Sequence, residues 1–119
     1  MDDSAQPGAN KGAALSAAME RLWVRFLPEI NERAAILEQA AAAVSKQAST
    51  AESRQAAHEA AHKLAGVLGT FNLARGTDLA RELELTFSRE TPHDPEDGRR
   101  LAAKVAELRA LIESRPAMR

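Results

Sequence analysis

Apolar residues along most of this 119-residue chain recur at alternating steps of three and four. Ile30, Ala34, Leu37, Ala41 and Val44 step by 4, 3, 4 and 3, and Leu101, Val105, Leu108 and Ile112 by 4, 3 and 4. A helix gathers such positions on one face, whereas a half-buried strand needs a period of two. Composition agrees with the spacing. Alanine fills 26 positions, while Val, Ile and Thr together fill only 12. Alanine is the best helix former and β-branched residues populate strands, so the chain reads as all-α. No strand candidate and no internal repeat interrupts that reading.

The same composition excludes several function classes. Sixteen basic against 17 acidic residues give a net charge of −1, which argues against a nucleic-acid binder. The absence of cysteine rules out disulfides, iron–sulfur clusters and thiol chemistry. No apolar run approaches the roughly 18 residues of a membrane span, and no basic-then-apolar stretch opens the chain as a signal peptide would. A cytoplasmic domain with no membrane or nucleic-acid partner is expected. With 45% hydrophobic residues the chain can build a single core.

Residues 1–12 are polar, carry Pro7, Gly8 and Gly12, and read as a disordered leader; residues 13–115 read as the folded domain. Leu15, Met19, Leu22, Trp23 and Phe26 mark a first helix, with a break or kink expected near Leu27 and Pro28. The Ile30–Val44 stripe is a second. Ser49 and Glu52 fit a capping box that would open a third, running to about Phe71, where Asn72 supplies a left-handed stop. A fourth spans about Ala74–Arg89 with Leu79, Leu83 and Phe87 inward. The breakers between Thr91 and Pro95 precede the last. The sum is an antiparallel four-helix bundle with an additional short N-terminal helix. Trp23 and Phe26 are expected to cap its core. His93 is read as a solvated loop residue, and the charges between Glu96 and Arg109 as a solvated face.

The third helix carries unusual chemistry. At about 100° per residue, Ala57, Ala60, Leu64, Val67, Leu68 and Phe71 fall on a core face. The opposite face collects Gln55, His58, Glu59, His62, Ala65, Gly66 and Gly69. Each glycine inside a helix is worth about 1 kcal/mol less than alanine, so two on one outer face require a reason. Close helix packing, or fraying toward the Asn72 stop, is one. Access to the His62 ring is the other, because Gly66 lies one turn beyond it.

Two chemistries compete for this face. His58-Glu59-Ala60-Ala61-His62 is an H-E-x-x-H, in which two imidazoles one turn apart can share a zinc ion with the glutamate as base. The longer metzincin continuation fails at Ala65 and Leu68, and a third ligand would have to come from as far as Glu82 or Glu84. The alternative rests on Ala61-His62-Lys63-Leu64-Ala65-Gly66, continued by Gly69-Thr70-Phe71-Asn72-Leu73 and by Leu83-Glu84 on the next helix. These segments resemble the signature of histidine-containing phosphotransfer (HPt) domains, and the resemblance extends over about Ala14–Ser114.

The resemblance implies a phosphocarrier without kinase activity of its own, with His62 as the phosphoryl acceptor. It further implies that Glu84 orients the imidazole and Gly66 clears its approach. His58, Glu59, Lys63, Ala65, Gly69 and Arg81 would line the surface that meets a partner. The partners implied are response-regulator receiver domains or a hybrid histidine kinase. No cofactor is expected on this chain, magnesium belonging to the receiver, and a monomer suffices. Ala65 departs from the pattern, which has lysine there to offset phosphate charge; Lys63 and Arg81 are the nearby candidates. A bundle that docks partners without efficient transfer is the alternative reading.

Overall fold

The computed structural model describes residues 7–89 and 93–116, with side chains from Lys11 onward. Four helices make up the fold: α1 (Pro7–Ser45), α2 (Ala51–Thr70), α3 (Ala74–Phe87) and α4 (Pro95–Glu113). Each packs on its neighbour in the chain, and α1 also packs on α4, closing an up-and-down ring. Most of the core residues are those the periodicity selects, although Leu15 and Leu22 of the first stripe are exposed. Ile30, Leu37, Leu64, Leu68, Leu79, Leu83, Leu101 and Leu108 are fully buried.

The short N-terminal helix is not a separate element. It is the first half of α1, which continues through Pro28 without the break expected at Leu27–Pro28. The reason lies in tertiary packing. Trp23, Ile30, Ala34 and Leu37 are buried in one phase on both sides of the proline. Proline removes the hydrogen bond to the Val24 carbonyl, but Val24 and Pro28 both face solvent, where water can satisfy that group. Residues 7–12, expected in a leader, also belong to α1; residues 1–6 lie outside the described segment. At about 1.5 Å per residue α1 is roughly twice as long as its partners. Its N-terminal turns therefore project past the bundle, stretching the molecule to 67 Å along its long axis, and leave Leu15 exposed.

Helix ends follow local chemistry. The cap of α2 is Thr50, one residue after the expected Ser49; its side chain accepts from the Ser53 N–H at 3.0 Å. Asn72 is left-handed, with φ 62°, as its sequence position implies. The Leu73 N–H bonds the Leu68 carbonyl and the Asn72 N–H that of Gly69, a Schellman stop that turns the chain directly into α3. Asp94 and Asp97 form a capping box at the start of α4, with Pro95 in the first turn. Gly98 lets that end approach α1: a Cβ there would stand 2.8 Å from Ser45 Cα.

Two expectations about polar residues change. His93 is not solvated; its side chain has no exposed surface and packs edge-on against Phe87, with Nδ1 2.9 Å from Arg89. The charges of α4 are not merely solvated either. Arg109 pairs with Glu38 of α1, Lys104 with Glu82 and Glu107 with Arg75 of α3. At the far end Arg115 lies over Trp23 while bonding Glu20, and Trp23 meets Phe71 edge to face, so the aromatic cap of the core forms as expected.

Candidate functional site

The site arises where α2 and α3 run side by side. Alanine and leucine dominate the buried face of α2, so this helix packs closely. Residues 58, 62 and 66 then follow one another at single-turn spacing along the edge of that contact. The tight Asn72 turn returns α3 antiparallel to α2 and brings Glu84 level with the two histidines. On α3, Leu79, Leu83 and Phe87 are buried, which leaves Glu84 at the seam, partly covered.

His62 stands outward, with 73% of its side chain exposed, against 25% for Glu84. His62 Nδ1 lies 2.9 Å from Glu84 Oε2. An ionised carboxylate only accepts, so the proton of this bond sits on Nδ1 and the lone pair on Nε2. The carboxylate thereby sets both the tautomer and the direction of the ring, as a carboxylate does for a metal-bound histidine. Beside the ring, the position of a Cβ on Gly66 meets no atom within 4 Å. The fold places no packing demand on this glycine. Gly69 is also exposed, with a Cβ position 3.5 Å from Thr77 Oγ1, an ordinary contact.

The remaining residues named from sequence divide. Glu59, Lys63, Gly69 and Arg81 are exposed. Gln55, His58, Glu59, His62, Lys63 and Glu84 line one shallow depression, and Arg81 and Leu85 line a second that shares His58 and Glu84. Ala65 does not belong to the outer face. It is 6% exposed, because its Cβ turns into the α2–α3 seam, and its carbonyl accepts from Thr77 Oγ1 at 3.3 Å. Val67, assigned to the core face, is only partly buried. His58 is partly buried and bonds the Glu84 backbone carbonyl through Nδ1 at 3.1 Å. Sequence reading missed Leu85, a 73% exposed leucine beside Glu84. Its position off the Leu79–Leu83–Phe87 stripe was the available signal. Among the described residues no three His, Cys, Asp or Glu side chains group to hold a metal.

A four-helix bundle that presents one imidazole to solvent, with the second ring nitrogen held by a carboxylate of the next helix, defines a histidine-presenting carrier domain. The family model of the Hpt domain matches residues 21–113, and the chain belongs to that family. Membership carries a phosphotransfer role in phosphorelays, in which such domains act as phosphocarriers and not as enzymes in themselves. No curated protein and no solved structure matches the chain. No helix among the described residues is long and apolar enough to cross a membrane.

Proposed function

We propose that His62 carries the phosphoryl group, receiving it from and returning it to aspartates of response-regulator receiver domains. The observation that carries this reading is the Nδ1–Glu84 bond of an otherwise exposed ring, which leaves Nε2 free on the open side. In the forward step the Nε2 lone pair attacks the phosphorus of an aspartyl phosphate. The P–N bond forms as the P–O bond to the aspartate breaks, and the aspartate leaves as a carboxylate. No proton needs to move. The ring keeps its Nδ1–H and becomes a phosphoimidazolium, whose positive charge the Glu84 carboxylate stabilises. The reverse step restores the neutral ring. Positioning and charge neutralisation dominate phosphoryl transfer, so the chain needs to supply little beyond this geometry. Magnesium and the acidic pocket belong to the receiver, and a hybrid histidine kinase is the alternative donor. Leu85, with Lys63 and Arg81, gives the docking face an apolar point among charges. We place the relay in the cytoplasm, with the chain acting as a monomer.

The test is incubation with a receiver domain phosphorylated by a labelled small-molecule donor. Acid-labile, base-stable label should appear on this chain, vanish with His62→Gln, and still form in His58→Ala. Receiver binding without label would replace the carrier with a docking adaptor, the reading that the missing lysine at Ala65 favours.

A further inference from the structure

The H-E-x-x-H spacing remains unexplained by phosphate transfer alone, since one histidine suffices for that. The structure gives the second a specific bond. His58 and His62, one turn apart, both direct Nδ1 at the same residue of α3. His62 meets the Glu84 carboxylate at 2.9 Å, and His58 meets the Glu84 backbone carbonyl at 3.1 Å. That carbonyl also accepts the Ser88 N–H at 3.1 Å, in the last turn of α3. Glu84 is therefore held by its main chain and by its side chain from two rings of one helix. One turn past His62 in the other direction, Thr77 Oγ1 bonds the Ala65 carbonyl at 3.3 Å. These two side-chain-to-carbonyl bonds bracket His62 and tie α2 to α3 on either side of it.

We infer that His58 is a positioning residue, whose Nδ1–H bond to the Glu84 carbonyl fixes the stretch of α3 from which the Glu84 carboxylate reaches His62. The inference rests on the reading of His62 as phosphoryl acceptor, and it gives His58 a role distinct from touching a partner. A carboxylate on a four-bond arm holds an imidazole well only if its own backbone is fixed, since small displacements at the reacting centre change rates strongly. The bond also serves where helices lose order first. Glu84 lies in the final turn of α3, where its carbonyl accepts only the capping Ser88 N–H from its own chain segment, and the His58 ring adds a tie to the neighbouring helix.

The experiment compares His58→Ala with His58→Asn. Asparagine Nδ2 sits on Cγ, as His Nδ1 does, so it offers a donor at the same place, whereas alanine offers none. The first readout needs no phosphate: the nitrogen-15 shifts of the His62 ring in the free protein. In the parent protein they should report Nδ1–H; in His58→Ala they should move toward a mixture of tautomers, and His58→Asn should restore the parent pattern. The second is phosphoryl transfer from a labelled receiver over a range of receiver concentrations. His58→Ala should lower the maximal rate by about three- to tenfold with half-saturation unchanged, and His58→Asn should recover it. Unchanged His62 shifts in His58→Ala overturn the inference. So does a change confined to half-saturation, which makes His58 a docking residue, or an equal loss in the asparagine variant, which makes it a packing residue. Absence of label on the parent protein overturns the acceptor reading instead, and the tautomer measurement still decides whether His58 positions Glu84.

Discussion

Replacing Gly66 should move stability and transfer in opposite directions. The residue lies within α2, is exposed, and has no atom within 4 Å of where a Cβ would stand. An added methyl group therefore creates no clash, and the helix gains the difference in propensity, about 1 kcal/mol for Gly66→Ala. For a domain of this size that corresponds to a melting temperature roughly 4 °C higher. Gly66→Leu keeps most of that gain, because leucine follows alanine closely as a helix former. Its larger side chain has another consequence. Long helical side chains lean toward the N-terminus over the preceding turn, which at this position is the turn carrying His62. The approach to Nε2 is then covered. A phosphorus held even about 1 Å from in-line geometry loses on the order of 100-fold in rate. Thermal melts by circular dichroism and label transfer from a phosphorylated receiver read the two effects separately. Transfer at the parent rate in Gly66→Leu would refute the access role of the open face. A lower melting temperature in Gly66→Ala would show that packing, not access, requires the glycine.

Other substitutions probe the site and its frame. Glu84→Gln keeps an acceptor for the His62 Nδ1–H but removes the charge opposite the phosphoimidazolium; transfer should fall about tenfold, roughly 1.4 kcal/mol, with circular dichroism unchanged. An undiminished rate would mean the carboxylate charge plays no part. Gly98→Ala should lower stability by about 1–3 kcal/mol, seen as a lower urea midpoint, because the new Cβ overlaps the Ser45 backbone. Burial, with Arg89 beside it, holds the His93 imidazole below its ordinary pKa, although Asp97 opposes them. The unfolded chain therefore binds that proton first. The His93 contribution is complete above about pH 6.5 and is lost as pH falls below that toward the depressed folded value. Melting temperatures measured down through this window should drop less in His93→Gln than in the parent protein; parallel curves would contradict the assignment.

The folded elements were legible where local rules act alone. The stripes Ile30–Val44 and Leu101–Ile112 are buried as their spacing requires, and Asn72 takes the left-handed conformation that ends α2. Proline's local penalty predicts a break at Pro28, but packing on both sides of it outweighs that penalty. A helical wheel puts Ala65 outside because it knows only one core direction. In the bundle α2 has two neighbours, α1 and α3, so its buried arc is wider than one stripe. For His93, no local pattern reveals that Phe87 and Arg89 close over it.

Sequence alone determined that His62 lies off the core face of its helix with a glycine one turn beyond, since helical period and residue size are properties of the chain itself. It also supplied Glu84 as the residue to pair with it, through the family pattern. Only the tertiary structure decided which nitrogen of His62 is bonded and which is open. It likewise decided that His58 grips the same glutamate by its carbonyl. Those relations join residues 22 and 26 positions apart, and their geometry is set by how two helices pack across a turn, which no local preference encodes.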